Sequence, residues 1–322
     1  MKEIIKYGSY APSSHNGQMW RVKIIDGNSI SISPDPQRLL PAVDPESREA
    51  WISIGAFVEN CVLSGKDLGY ESRVNIRENN VLIEFQRTDN KQPGQYLDLI
   101  EKRLTVRNPY PLIPIPIRIR FRLECISKNI RYFDKESEQG RIILKYSTDA
   151  YIHQTQNHDI MKELSHWIIL GKKEESLRRD GLTPKMLGIK GIKRLACELF
   201  MNKNSIPGKL FIKGSVDGAK KQLSTSSGFI LITSRTSEKT DLVNAGRDME
   251  RLWLECVRNN VAVQPMSQVI EEREEYRLLK SLLNISGEVQ MVLRLGMVKK
   301  YPVRAKRRLA VEEIIEKENP GK

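Results

Sequence analysis

Residues 51–63, WISIGAFVENCVL, and residues 242–254, LVNAGRDMERLWL, superimpose when the first is slid along the chain by 191 positions. Gly55 falls on Gly246, Glu59 on Glu250 and Leu63 on Leu254, while the apolar Val58, Cys61 and Val62 fall on Met249, Leu252 and Trp253. Each segment carries an apolar stripe at i, i+3, i+4, i+7: Ile54, Phe57, Val58 and Cys61 in the first, Met249, Leu252, Trp253 and Cys256 in the second. That spacing places four apolar side chains on one face of a helix. Three identities are few, and two amphipathic helices can align this way by chance. The common stripe, glycine and order of neighbouring elements point to a duplicated unit.

The flanks of the first helix, expected over about 46–68 with Gly69 as C-cap, read as strand pairs. Val22–Ile25 and Ser29–Ser33 flank Asp26-Gly27-Asn28, whose Asp-Gly supplies the positive φ angles of a tight turn, and Arg73–Ile76 and Val81–Phe85 flank Glu78-Asn79-Asn80. After a linker with Pro93 and Gly94 a helix is expected to Leu104, and residues 109–117, PYPLIPIPI, carry four prolines and cannot be helix interior. Residues 154–179 read as helical on the stripe Ile160, Leu164, Trp167 and Ile168, and residues 180–221 as Gly/Lys-rich and less regular. Gly228–Ser234 and Val289–Val298 read as buried strands around a helix at Asp241–Asn259, and a basic loop leads to a short acidic helix, Val311–Glu318.

Composition bounds the function. The chain has 322 residues, 39% apolar and 29% charged, with a net charge of +13. The excess is concentrated: residues 172–221 hold thirteen Lys/Arg against five Asp/Glu, and residues 299–308, KKYPVRAKRR, hold six Lys/Arg and no acid. Such segments suit nucleic acid, an anionic membrane surface or small anions. Only Phe200, Phe211 and Tyr301 lie within them, so no base-stacking platform is expected and a nucleic-acid partner is disfavoured. Cys61, Cys125, Cys197 and Cys256 form no CxxC pair, against both a disulfide scaffold and a zinc ribbon. His153 and His158 are five apart, off the spacing of one helical face, and have no acidic cluster in support, so no metal site is expected. The start, MKEIIKYGSYAPSS, lacks the apolar core of a signal peptide, and no run of about 18 apolar residues spans a membrane; a cytoplasmic protein is expected.

Three short motifs could carry chemistry. Residues 11–20, APSSHNGQMW, form a loop dense in hydrogen-bonding groups, with Ser13, Ser14 and Asn16 in one bend, suited to the polar edge of a planar heterocycle or to a simple capped turn. Residues 103–107, RLTVR, offer Arg103, Thr105 and Arg107 as phosphate donors, or merely the solvated basic end of a helix. In residues 304–309, RAKRRL, Lys306 and Arg308 alternate and would point the same way on an extended chain, as a phosphate clamp, a nucleic-acid or membrane patch, or merely a soluble tail.

Together these motifs resemble the nitroreductase family of flavin enzymes, and the whole chain resembles its Acg-like branch, in which two nitroreductase-type halves are fused. APSSHNGQMW is similar to the family's Pro-Ser-Ser-x-Asn-x-Gln-Pro-Trp loop, RLTVR to its Arg-x-Ser-x-Arg/Lys motif, and AKRRLA to its Lys-x-Arg-x-Pro, with Met19 and Ala310 where the family has prolines. ELSHWIILGKKEESLRRDGLTPKMLGI (163–189) and LVNAGRDMERLWLECVRNNVAVQPMSQ (242–268) resemble stretches of the Acg-like branch. The resemblance implies an α+β, nitroreductase-like fold of two pseudo-symmetric halves in one chain, with mixed or antiparallel sheets packed on long central helices. Residues 1–102 would form the half with the flavin-ring loop. Residues 103–322 would form the half with the phosphate clamp, including a lid-like insertion at about 150–221.

The same resemblance implies FMN as cofactor. Ser13, Ser14, Asn16 and Gln18 would meet the ring; Arg103, Thr105, Arg107, Lys306 and Arg308 would hold the phosphate. By analogy Pro265 and Met266, within 264–267, would approach the pyrimidine side. No residue stands out as a catalytic acid or base; His15 is either a proton donor or a bystander. Each half lacks the motif that the other keeps: KYGSY precedes the first loop and PYPLIPIP stands where a second loop would be. One complete and one degenerate site per chain are expected. The implied activity passes hydride from NAD(P)H through flavin to an electron-poor nitroarene, quinone or enone. The alternative is an FMN-binding or flavin-sequestering protein with a lid-covered site. The implied partners are small molecules, with no membrane, and the chain is either a monomer mimicking a dimer or a homodimer of fused units.

Overall fold

The computed structural model describes residues 1–88, 94–303 and 306–316. Pro93 of the expected linker, Arg304 and Ala305 of the basic tail, and residues 317–318 of the expected last helix lie outside them.

The chain begins with α1 (Lys2–Gly8), the hairpin β1 (Trp20–Asp26) and β2 (Ser29–Pro34), the long helix α2 (Arg48–Asp67), the hairpin β3 (Tyr70–Ile76) and β4 (Val81–Arg87), and α3 (Leu97–Lys102). Next come α4 (Ile117–Glu124), β5 (Ile130–Asp134), α5 (Glu138–Gln156), α6 (His158–Trp167), α7 (Lys172–Leu177), α8 (Gly191–Phe200) and α9 (Lys209–Ser224). The chain closes with β6 (Gly228–Ser234), the long helix α10 (Lys239–Arg258), β7 (Val261–Pro265), α11 (Gln268–Glu271), α12 (Arg273–Leu282), β8 (Glu288–Met297) and α13 (Val311–Ile314).

This is an α+β fold with two four-stranded sheets, ordered β1-β2-β4-β3 and β5-β6-β8-β7. Every neighbouring pair within them is antiparallel. The first, second, fourth and third strands of each unit lie side by side, and each unit carries its long helix between its second and third strands. The two units therefore repeat one connectivity. They differ between their first two strands: the first unit turns through Gly27-Asn28, whereas the second inserts α5 to α9 between β5 and β6. Residue 150 lies within α5, so the inserted helices begin before it.

The aligned helices α2 and α10 pack on each other at the aligned glycines. A β-carbon on Gly55 would collide with the Val243 carbonyl, and one on Gly246 with the Ile52 carbonyl, so only glycine allows this backbone approach. Trp20, Phe57, Trp253 and Leu293 belong to one buried core that runs through both units. The tail crosses from the second unit to the first: Ile315 bridges Val22 in parallel, and Glu316 N donates to Val22 O at 2.7 Å. The crossing brings Lys306–Arg308 beside residues 9–18.

Two expectations need correction. Residues 154–179 are not one helix. The Asn157 side chain accepts from Asp159 N and Ile160 N and so starts a new helix, and Ile168 is extended, bridging Leu182. Residues 180–221, expected to be less regular, hold α8 and much of α9. Glycine and lysine content hid a helical stripe in which Ala219 and Leu223 are buried and Phe211 and Ile212 pack against a small core.

Candidate functional site

The loop before β1 is backbone-strained. His15, Asn16 and Gln18 have φ of 51°, 56° and 54°, the left-handed region that side chains disfavour. Such strain persists where surrounding bonds over-determine it. Gln18 N donates to Ser13 Oγ at 2.9 Å. The fully buried Gln18 side chain donates to Arg179 O at 3.2 Å and accepts from Leu309 N at 2.9 Å. Asn16 Nδ2 donates to Gly181 O at 3.1 Å, and Asn16 Oδ1 accepts from Arg308 Nη1 at 2.5 Å. Loop, insertion and tail are thus tied in one place.

There they border a partly open cavity of about 70 Å³. Ser13 and Asn16 line it from the loop, Arg103, Thr105 and Arg107 from the extended chain after α3, Lys306 and Arg308 from the tail, and Leu182 and Met186 from the insertion. Seven of the eleven residues expected to bind a cofactor therefore meet, from three separate segments. α3 stops at Lys102 rather than Leu104, and Val106 N donates to Val263 O at 3.0 Å, which holds 103–107 against the second sheet.

Four cationic side chains converge on a largely buried wall. Arg103 donates to Tyr10 O and Lys306 to Arg103 O. Arg107 donates to Met186 O at 3.2 Å. Arg308 donates to Ser9 O at 2.6 Å and Ala11 O at 2.9 Å. Burial, with Arg103 and Arg308 as neighbours, pushes the Lys306 ammonium well below its usual pKa. Burial and Arg103 lower Arg308 to about 9. Concentrated positive charge away from water is relieved by an anion, and the donor set matches the oxygens of a phosphate.

The other four expected residues do not line the cavity. Gln18 holds the loop together. Pro265 ends β7, and Met266 is buried in a second core with Val269 and Val292. Ser14 donates to the buried Glu49 carboxylate at the start of α2. Glu49 also bonds Ser267, the neighbour of Met266, and Glu271, so the 264–267 segment reaches the loop through Glu49. Burial and then the Glu49 charge push the Glu271 carboxyl well up, so Glu271 carries the proton of the pair. Glu49 is a residue that the motifs missed; a glutamate immediately before the largely apolar run 50–58 was the available signal. Burial, reinforced by Arg107 against the opposing pull of Glu49, lowers His15 to about 4, so its imidazole is neutral near pH 7. That disfavours its role as an imidazolium donor.

The inserted helices bear on the same place. Arg38 Nη1 pairs with Asp180 at 3.0 Å, and Arg178 Nε with Asp180 at 2.8 Å. Arg307 donates to the Glu175 and Arg178 carbonyls. Part of the basic 172–221 segment is thus neutralised by its own acids. Among the described residues no group of His, Cys, Asp and Glu is placed to hold a metal ion, and no helix is long and apolar enough to cross a membrane.

No protein-family model matches the chain. Over 92% of its length it is 22% identical to the uncharacterized protein Rv3127 of Mycobacterium tuberculosis, covering 86% of that protein. It is likewise 22% identical to the "Putative NAD(P)H nitroreductase Rv3131" of the same organism, with 92% of this chain and 84% of that one covered. A solved structure, the FMN-dependent nitroreductase NfnB of Mycobacterium smegmatis in complex with NADPH, superimposes with a TM-score of 0.38 at 10% identity, over 64% of this chain and 92% of that one.

Proposed function

We propose that this chain is an FMN-dependent oxidoreductase of the nitroreductase type that takes hydride from NAD(P)H and delivers it to an electron-poor acceptor such as a nitroarene, quinone or enone. The observation that carries the reading is the convergence of Ser13, Asn16, Arg103, Thr105, Arg107, Lys306 and Arg308 on one cavity. The similarity, over 92% of this chain, to one named "Putative NAD(P)H nitroreductase" supports it. The repeated strand order supports a fusion of two nitroreductase-type halves, as in the Acg-like branch, with one complete site.

The residues present fit the cofactor at its phosphate end, where buried cations call for an anion. Arg103, Thr105, Arg107, Lys306 and Arg308 would hold the phosphate. Ser13, Ser14, Asn16 and Gln18 would form the loop against the ring, with Pro265 and Met266 on the segment nearest its pyrimidine side. FMN supplies the hydride-carrying chemistry when bound. The chain's own contribution is position and charge: the strained loop fixes its donors in advance, and Leu182 and Met186 set apolar surface beside the cations. Glu271, protonated against Glu49, keeps a proton behind Ser14.

The visible spectrum of the purified protein tests this first. Flavin absorbance that bleaches on anaerobic addition of NADH or NADPH is the expected result; colourless protein that takes up no FMN overturns it. A second reading, a flavin-sequestering protein, is favoured by one observation. Small-molecule pockets span about 300–1,000 Å³, whereas this cavity, lined by Leu182 and Met186 of the insertion, has about 70 Å³. A flavin that stays oxidised with both nicotinamides selects this reading.

A further inference from the structure

The duplicated helices carry an aligned pair of buried glutamates, and their surroundings differ. Glu59, 1% exposed, is fully engaged: Arg247 Nε lies 2.8 Å and Arg251 Nε 2.6 Å from its oxygens. Glu250, 0% exposed, has Arg103 Nε at 3.4 Å, with Asn60 of α2 beside it. The groups facing it are Arg103 from the segment after α3, Lys306 and Arg308 from the tail, and Asn60 from α2. Three of these line the cavity. One glutamate of the pair is locked into a structural ion pair; the other sits loosely behind the cations on which a phosphate would land.

We infer that Glu250 is a built-in counter-ion of the cation cluster, and that a phosphomonoester dianion displaces it from Arg103, with a proton from solvent converting the Glu250 carboxylate to the acid. This rests on the phosphate reading of the cavity. The physical ground is charge balance in a place with little water. Without a ligand, Glu250 is the carboxylate against Arg103, and with a dianion present a second ionised acid beside the same guanidinium is repelled. Burial already raises its affinity for a proton. The consequence is selectivity. A dianionic phosphomonoester such as FMN therefore displaces Glu250 more strongly than a monoanionic phosphodiester does, and a neutral ligand such as riboflavin leaves Glu250 against Arg103.

The test is calorimetric titration with FMN at pH 8, where free FMN phosphate is already dianionic because its second pKa is about 6. Two buffers of different ionisation enthalpy give the proton count. Wild type is expected to take up about one proton more per FMN than Glu250→Gln, with Lys306 supplying whatever uptake the two share. Glu250→Gln is expected to bind FMN roughly tenfold more tightly at pH 8, as it has no proton to acquire. Its ligand-free form is expected to melt below wild type and its FMN-bound form to recover; a packing role would lower both. Equal proton uptake in the two proteins, or equal or weaker FMN binding by the variant, overturns the role of Glu250 and leaves the phosphate site standing. Should the variant fail to fold, Glu250→Met, uncharged and of similar length, takes its place with the same expectations. A flat wild-type FMN profile between pH 7 and pH 9 overturns the inference by itself. Wild type that binds no FMN at any pH overturns the phosphate site and this inference with it.

Discussion

Arg308 donates to the carbonyls of Ser9, Tyr10 and Ala11 and to Asn16 Oδ1, so it holds the loop as well as lining the cavity. Arg107 lines the same cavity and donates to Met186 O of the insertion. Removing either charge is expected to weaken FMN retention by roughly 1.5–3 kcal/mol, tenfold or more, as for other charge-assisted bonds. The measurement is flavin content per chain after dialysis; full occupancy in both Arg107→Ala and Arg308→Ala would remove them from the site. Behind the loop the pH dependence has an uncommon sign. Burial and then Glu49 raise Asp44 to about 6 although it accepts from Glu49 N and Ala50 N. An acid with its pKa raised by folding binds its proton more tightly in the folded state. Its contribution is present below the unfolded value of about 3.9 and is lost as pH rises through about 6. Relative to Asp44→Asn, wild type is therefore expected to lose stability between pH 4 and 6 in denaturant titrations. Parallel curves for the two proteins would place the titration elsewhere.

Among the elements, the crossing of α2 and α10 is the most sensitive point. Gly55→Ala or Gly246→Ala puts a methyl against a backbone carbonyl that cannot rotate away. Overpacking a core with an extra methyl costs about 1–3 kcal/mol where side chains can adjust. Here the helices must separate, so each variant is expected to lose at least the upper end of that range, read as a fall in Tm, and a melt within a degree of wild type would show that the crossing is soft. This same contact explains what was legible. The repeated Gly and Glu in the two stripes, and the hairpin turn at Asp26-Gly27-Asn28, announced α2, α10 and β1–β2 because local pattern and tertiary use coincide there. The loop and cation motifs announced seven cavity residues because polar types clustered in sequence also cluster in space. Strand β5 and helix α5 were not legible: β5 is half-buried at a sheet edge with Arg131 among its residues, and α5 draws its start from Ser137, whose side chain accepts from Gly140 N. Glu250 was visible as an aligned residue, but its loose partner was not, since Arg103 lies far away in the chain.

For the whole molecule, the decisive question is how the inserted helices sit on the cavity. Two kinds of contact hold them. Asp180 forms ion pairs with Arg38 of the first unit and Arg178 of the insertion, and Gly181 exchanges hydrogen bonds with Asn16 through both its N–H and its carbonyl. Burial raises the Asp180 pKa while the bonds from Arg178 and Arg38 outweigh it, so the carboxylate is held in its charged form. Asp180→Ala removes two charge-assisted bonds and leaves Arg38 without a carboxylate on the insertion, yet touches none of the cavity-lining side chains. The core through α2, α10 and both sheets does not include it. The expected outcome is a lid that opens more often: FMN dissociation, followed as the recovery of flavin fluorescence on dilution, speeds by about tenfold, in line with roughly 1–3 kcal/mol for bonds of this kind. The main melting transition stays in place. If the lid is what bars reduction, the variant also bleaches with NADPH where wild type stays yellow; if wild type already bleaches, the two rates coincide and only FMN release changes. Unchanged dissociation together with an unchanged melt would mean that the insertion is held by its packing around Met161, Ile168 and Ile206 rather than by this latch.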